Sequence, residues 1–266
     1  LYPHGYYPCD FVFEEENHDN SEKEFLGHTG NFDGGDVIDI IVDQPACAAF
    51  ISRHLYNFFV ADEPQVPTWN EVAPLDPQLI DAMSEAFMNS GGDIKSVLRV
   101  MFNSNAFKDA RFKKVKSPIE LVAGILKMVG NFDDFRPGLS AYADSTTVVM
   151  GQKLLDPPSV EGWHTGKEWI DGGNLTERVN FAVSEIGDGE SPGVQRIIDR
   201  IIDSGSLVAP EDFVDSALDA MGPITVEDST SEALMKFARD SEGIDDRLRA
   251  VRIISLIVST PEYQFA

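Results

Sequence analysis

Positively charged residues are scarce in this sequence. Its 266 residues include 21 Lys and Arg against 45 Asp and Glu, which gives a formal net charge of −24. A surface of that charge repels phosphate backbones and anionic lipid head groups, which excludes general nucleic-acid binding. The sequence also lacks a run of about 18 apolar residues, so no membrane-spanning helix is predicted.

Known catalytic motifs are missing as well. The sequence contains no GxSxG nucleophile motif, no P-loop, no GxGxxG after a strand and no HExxH zinc motif. Without such a motif the residues do not assign a reaction. They leave open whether the protein is an enzyme.

Cysteine is rare, with only Cys9 and Cys47. Two cysteines do not make a disulfide framework, although they could form one bridge. Cys47 lies on the apolar face of a predicted helix, where a small buried thiol is common. A free, buried Cys47 is therefore favoured over a bridge to Cys9.

Hydrophobic residues recur with the helical period along most of the chain. From Cys47, apolar side chains follow at Phe50, Ile51, Leu55 and Phe58, which form one helix face. The same period predicts helices over residues 45–59, 77–88, 94–102, 117–130, 139–155, 175–186, 194–202, 213–221, 231–239 and 245–258. Alternating patterns are rare, and residues 10–14 are the best strand candidate. We therefore predict a mainly α fold, an irregular multi-helix domain with a short β piece near the N-terminus.

Capping residues mark several helix starts. Asp76 precedes the helix that begins at residue 77 and is its predicted N-cap. Ser117 and Glu120 have the spacing of a capping box. Asn174 and Glu177 have the same spacing, which predicts that Asn174 caps the helix that follows.

A polar stretch rich in Gly and Pro, residues 187–193, is the best candidate for an internal boundary. It divides the chain into a helical core domain, residues 1–190, and a C-terminal helical segment, residues 191–266. A helix-to-helix turn inside one domain would have the same composition. The sequence favours neither interpretation.

An oxygen-rich stretch, residues 17–39, is the candidate metal-binding region. Set against a calcium-binding loop, Asn31, Asp33 and Gly34 fit positions 3, 5 and 6, but no carboxylate stands at position 12. The alternative, favoured by this spacing, is a turn followed by a helix that Asp36 caps. The candidate metal ligands are His18, Asp19, Asn31, Asp33 and Asp36, with calcium as the candidate cofactor.

The stretch LLDPPSVEGWHTGKEWIDGGNLTERVNF, residues 154–181, contains two of the three tryptophans. Its prolines end the preceding helix, and its glycines allow tight turns. Because tryptophan is seldom left in water, the rings either pin the loop onto the core or line a groove for a sugar or an aromatic ligand. The candidate ligand-binding residues are Trp163, His164, Trp169 and Arg178.

The stretch RFKKVK, residues 111–116, is the one dense basic cluster in the sequence. It is interpreted either as a docking surface for an anionic partner or as a solvated loop that offsets nearby carboxylates.

Four segments together resemble a known family. They are HDNSEKEFLGHTGNFDGGDVIDIIVDQPACAAFISRHLYNFFV, KSPIELV, GQKLLDPPSVEGWHTGKEWI and SLIVSTPEYQFA. In this order they resemble the C-terminal half of the bacterial family called domain of unknown function 1800. The positions that match its recurrent motifs are His18, Asp19, Gly27, Thr29, Gly30, Asp33, Gly34, Asp36, Pro157, Pro158, Gly162, Trp163 and Trp169.

The resemblance implies a mainly helical protein that is secreted or periplasmic. It also implies that this chain is the C-terminal portion of a longer protein with an export signal upstream. Genes of the family often stand beside a second uncharacterised family that looks related to sulfatases and alkaline phosphatases, which suggests a sulfatase-like partner protein. The resemblance brings no activity, so no catalytic residues are carried over, and it leaves the oligomeric state open.

Two functions of different class are compatible with these features. The first is an exported helical binding or accessory protein that acts with a partner enzyme or a surface polymer. It predicts that Trp163 and Trp169 are partly exposed and that no cleft holds an acid/base pair with strongly shifted pKa values. The second is a hydrolase of polysaccharides or esters, with or without a metal ion. It predicts that His18, Asp19 and Asp33 converge on one pocket.

Overall fold

The structure is a computed structural model that describes residues 11–66, 68–205, 207, 209–222 and 224–266. It is mainly helical, as predicted, with a two-stranded antiparallel sheet near the N-terminus. Among these residues, no helix has both the length and the apolar character needed to cross a membrane. Cys9 and Asp10 lie outside the described residues. The helices are α1 (Gly34–Val42), α2 (Pro45–Phe59), α3 (Pro77–Asn89), α4 (Ile94–Asn103), α5 (Asn105–Lys108), α6 (Pro118–Met128), α7 (Leu139–Val149), α8 (Gly172–Gly187), α9 (Pro192–Asp203), α10 (Pro210–Met221), α11 (Asp228–Asp240) and α12 (Asp246–Val258).

The chain forms two compact units. The first consists of residues 11–55 and Asp76–Ser104. Its sheet is a hairpin of β1 (Lys23–Phe25) and β2 (His28–Gly30), in which Lys23 pairs with Gly30. Residues 26 and 27 both have positive φ angles, of 47° and 80°, as in the tight turns that match the strand twist. Helices α3 and α4 pack against each other through an apolar layer made by Leu79, Ile80, Met83, Phe87, Val97 and Met101.

The second unit consists of Tyr56–Leu75 and Asn105–Ala266. Helix α12 packs against α8, α9, α10 and α11, and α6 packs against α7 and α8. Ile253, Ile254, Ile257 and Val258 of α12 are fully buried in this core. The interval between α8 and α9, where the sequence suggested a boundary, lies inside this unit.

Several local predictions need correction. Residues 11–14 do not form the predicted strand, and the sheet consists of β1 and β2. The helix predicted over 139–155 ends at Val149, and Gly151 then takes a φ of +90° that a helix cannot accommodate. Cys47 is a free thiol, but it is partly exposed rather than buried.

Two helix caps also differ from prediction. Asp33, not Asp36, caps α1, and the Asp36 side chain accepts a hydrogen bond from the Asp33 N–H to complete a capping box. Asp171, not Asn174, caps α8, because its carboxylate accepts from the Asn174 N–H at 3.0 Å. In α1 and α8 the aspartate immediately before the first helical residue is the cap, because its carboxylate reaches the unpaired N–H groups of the first turn.

Candidate functional site

The candidate site is built on the connection between α7 and α8. A short 3-10 helix, Gly166–Ile170, occupies its second half. Trp169 in this helix is only 5% exposed, so its indole anchors the connection to the core. The Asn174 side-chain amide donates to the Glu168 carbonyl at 3.3 Å and ties the 3-10 helix to the first turn of α8.

Gly166 is needed for the backbone path. Its φ is +67°, and a Cβ at this position would lie 3.2 Å from the Asp62 side chain. A residue with a side chain would therefore meet both backbone strain and a close contact. This packing sets the position of the residues on either side of Gly166.

Trp163, His164 and Trp169 line the same cavity, which has a volume of about 560 Å³. Trp163 is half-buried, as the binding hypothesis predicted, whereas the buried Trp169 contradicts that part of the prediction. The core-anchoring interpretation thus applies to Trp169, and the groove-lining interpretation applies to Trp163. The residues that line the cavity, hereafter the Trp163 cavity, are Gly151, Pro158, Trp163, His164, Lys167, Glu168, Trp169, Asp171 and Asn174.

A histidine–carboxylate pair stands in this cavity. His164 Nδ1 lies 2.6 Å from Glu168 Oε2, and both side chains are about half exposed, at 50% and 55%. A carboxylate at Nδ1 fixes the orientation of the imidazole and favours the tautomer that leaves Nε2 as an acceptor. The pair can therefore accept a hydrogen bond from a ligand hydroxyl, or take a proton from it.

A neighbouring cavity of about 510 Å³ shares Lys167 and Glu168 with the Trp163 cavity. Asp62 lines it, and its Oδ2 accepts a hydrogen bond from the Val115 N–H at 2.7 Å. Its Oδ1 is buried and has no hydrogen-bond partner among the described residues. Burial raises the pKa of Asp62, against the opposing effects of the Val115 N–H and the Lys114 charge. This carboxyl group retains its proton to a higher pH than an ordinary aspartate.

Arg178 does not share the cavity with the three other candidates. Its side chain is fully buried, and it donates from Nε to Gln264 Oε1 and from Nη2 to the Lys116 carbonyl, both at 2.8 Å. Burial lowers the pKa of Arg178 to about 10. The guanidinium thus connects α8 with the segment before α6 and with a C-terminal 3-10 helix, Glu262–Gln264.

The candidate metal ligands make local contacts near the β hairpin and at the N-terminus of α1. Asp33 Oδ1 accepts from the N–H groups of Gly35 and Asp36, at 2.7 and 3.0 Å. These hydrogen bonds satisfy the free amides of the first turn of α1. The two aspartates therefore have local structural partners without a metal ion.

His18, Asp19 and Asn31 have local partners too. The His18 ring lies 5.2 Å from the Phe13 ring, and Asn31 accepts a hydrogen bond from the Lys23 ammonium at 3.2 Å. The Ser21 N–H donates to the Asp19 carboxylate and lowers its pKa. Across the described residues, no three His, Cys, Asp or Glu side chains are grouped closely enough to hold a metal ion.

Glu168 of the Trp163 cavity and Asp62 of the neighbouring cavity were not predicted from the sequence as site residues. Glu168 stands four positions after His164, and this spacing could have indicated the pair. Asp62 lies about a hundred positions from Gly166, and no local pattern indicates that contact.

The comparisons with known proteins bear on the family alone. The family described as Protein of unknown function (DUF1800) matches residues 5–265. Neither the curated proteins nor the solved structures gave a match. The family match covers essentially the whole chain. The chain therefore belongs to the family described as Protein of unknown function (DUF1800).

Proposed function

We propose that this protein binds a ring-shaped, polyhydroxylated ligand, such as a neutral sugar unit of a surface polymer, in the Trp163 cavity. The observation that supports this is the placement of a half-buried indole beside several hydrogen-bonding side chains in one cavity. An indole offers an apolar face to a sugar ring, and the surrounding polar groups can pair with its hydroxyls.

The dimensions and the charge of the cavity favour a neutral ligand. A volume of about 560 Å³ lies within the usual range of small-molecule sites, roughly 300–1,000 Å³. The cavity carries the carboxylates of Glu168 and Asp171 beside the single ammonium of Lys167. Together with the net charge of −24, this disfavours a sulfate or phosphate group on the sugar unit that occupies the Trp163 cavity itself.

The wider role that we propose is that of an exported accessory protein. Secretion or a periplasmic location, and a sulfatase-like partner enzyme, follow from the habits of the family that the sequence resembles. In this role the protein would hold the polymer while the partner carries out the chemistry.

Calorimetric titration of neutral oligosaccharides into the protein tests this proposal. Trp163→Ala should weaken binding at least about tenfold, because it removes the exposed stacking face, and Trp163→Phe should retain part of the affinity. Trp69→Phe is the matched control. Its indole Nε1 donates to the Pro64 carbonyl at 2.6 Å and does not line the Trp163 cavity. Equal affinity of Trp163→Ala and the unmodified protein, or no binding across the panel, would overturn the proposal.

A hydrolase is the second candidate function, and the His164–Glu168 pair supports it. An imidazole oriented through Nδ1 can take a proton from water at Nε2, and Asp62 offers a carboxyl group with a raised pKa in the neighbouring cavity. The test is turnover of chromogenic glycosides and esters. His164→Gln should lower the rate by about 100-fold or more if the imidazole is the base. An unchanged rate in this variant would exclude that role.

A further inference from the structure

The Lys116 side chain lines a third cavity, which the proposed ligand site does not use. The Lys116 ammonium donates to the Tyr263 carbonyl at 2.7 Å and lies 4.2 Å from the centroid of the Tyr263 ring. This position fixes the amine rather than leaving it mobile in solvent. The side chain belongs to the basic cluster 111–116, which the sequence suggested was either a docking surface or a solvated loop.

The cavity beside Lys116 has a volume of about 400 Å³ and mostly apolar walls. Its apolar lining includes Phe112, Leu121, Met128, Met221 and Ile224. A small organic molecule with an apolar body matches this lining. A fixed amine at the wall of an apolar cavity is the usual setting of a nucleophilic lysine.

Burial and the Arg178 guanidinium disfavour the protonated form of the amine, whereas Glu120 and the Tyr263 carbonyl favour it. The Arg178 guanidinium on α8 is fully buried and donates to the Lys116 carbonyl. Glu120 on α6 is the carboxylate nearby, and Arg111 lines the same cavity. Burial, followed by repulsion from Arg178, lowers the pKa of Lys116 to about 8 despite Glu120. Burial raises the pKa of the Tyr263 phenol to about 12, so this group stays neutral across the same pH range.

We propose that Lys116 is a covalent attachment site for aldehydes or ketones with an apolar body, which enter this cavity and condense with the side-chain amine. The lone pair of the neutral amine attacks the carbonyl carbon, a C–N bond forms, and the carbonyl electron pair moves to oxygen. Proton transfer from nitrogen to oxygen gives a carbinolamine. Loss of water from the carbinolamine leaves the imine, so the step needs no oxidant or reductant.

Glu120 is placed to assist the proton transfers. Its Oε2 accepts a hydrogen bond from the Ser117 N–H at 2.7 Å, which holds the carboxylate at the first turn of α6. The same side chain lines the cavity with Lys116. Since carboxylates accept and return protons readily, Glu120 can carry the proton from nitrogen to the departing oxygen.

Site-resolved labelling of the unmodified protein tests this inference. The folded protein is incubated with benzaldehyde between pH 6 and 10, and the imine is trapped with cyanoborohydride. Peptide mass spectrometry then measures the benzylated fraction of each lysine. At pH 7.5 we expect Lys116 to react at least about tenfold faster than the exposed Lys113, because the lowered pKa of Lys116 leaves more of its amine neutral than in an ordinary lysine. The rate at Lys116 should level off above pH 8.

Three controls separate the cavity from general amine reactivity. Unfolding in urea should remove the preference for Lys116. Lys113→Arg should leave the labelling of Lys116 unchanged, and Lys116→Arg should abolish the fast phase while its circular dichroism shows the native helix content. Labelling of Lys116 no faster than that of Lys113, or a preference that survives unfolding, would overturn the proposal. Because the primary result comes from the unmodified protein, a variant that fails to fold does not affect it.

Discussion

The contact between α6 and α9 gives the sharpest prediction about stability. The Gly193 N–H donates to the Val129 carbonyl at 3.0 Å, so the start of α9 lies directly against the end of α6. A Cβ at Gly193 would fall 1.8 Å from the Met128 carbonyl oxygen and 2.6 Å from the Val129 carbonyl carbon. Both contacts are with backbone atoms, which cannot rotate away. Gly193→Ala must therefore move the two helices apart.

The size of the loss follows from this geometry. The distance to the Met128 oxygen has to lengthen from 1.8 Å to at least 3.0 Å. Such a shift removes the hydrogen bond between Gly193 and Val129, worth about 1 kcal/mol. It also disturbs the packing of Val194 and Ile198, which are fully buried on α9, at a cost of about 1–3 kcal/mol. The free energy of unfolding should fall by about 2–4 kcal/mol in total.

Urea denaturation followed by tryptophan fluorescence measures this loss. All three tryptophans belong to the second unit, so the signal reports the unit that contains Gly193. Gly124→Ala is the matched control, because Gly124 lies inside α6 and an added Cβ there has nothing within 4 Å. It should stabilise the protein by about 0.5–1 kcal/mol. A loss below about 0.5 kcal/mol in Gly193→Ala would refute the packing argument.

Two further predictions concern the candidate site. The pKa of Asp62 is raised in the folded protein, so the favourable contribution of its neutral form is complete below pH 3.8 and is lost as the pH rises through the folded pKa. Asp62→Asn should therefore be more stable than the unmodified protein at pH 7, with the difference shrinking towards pH 3 in urea denaturation. A difference that is independent of pH would contradict this. Gly166→Ala should lower the free energy of unfolding by about 1–2 kcal/mol and weaken ligand binding in the Trp163 cavity, as denaturation and calorimetry will show. Unchanged values in both measurements would contradict the role of its positive φ.

Most helices could be predicted from the sequence because their signals are local. The apolar period and the flanking caps lie within about four residues of each other, which is the range of helical contacts. Asp76 caps α3, and Ser117 with Glu120 forms the capping box of α6, as their spacing predicted. The same local signals placed α12 to within one residue of its observed bounds.

The errors arose where two local signals competed. At α1 and α8, more than one acidic or amide side chain stood near the helix start, and the period alone does not choose between them. After Val149 the apolar pattern continues, but Gly151 adopts a left-handed backbone conformation and ends the helix earlier than the prolines require. The short strands of β1 and β2 carry no alternating pattern, since a two-stranded hairpin that buries little has no apolar face to specify.

The candidate site residues that lie close together in the sequence could be predicted, whereas the placement of Arg178 depends on contacts with distant residues. Trp163, His164 and Trp169 share a cavity because one short connection carries all three, and composition was enough to select them. Arg178 is only nine positions beyond Trp169, yet it lies on the buried face of α8 and its side chain is in the core.

Asp62 and Lys116, two titratable groups with shifted pKa values beside cavities, contact residues that are far away in the sequence. Asp62 meets Gly166 across about a hundred positions, and the Lys116 ammonium meets the Tyr263 carbonyl across a separation of 147. Each of these side chains is ordinary in sequence and owes its shifted pKa mainly to burial. No sequence motif indicates such groups, because their shifted pKa values come mainly from burial in the folded protein. Asp62 and Lys116 therefore each combine a cavity with a shifted pKa, a combination that is concentrated at functional sites in proteins.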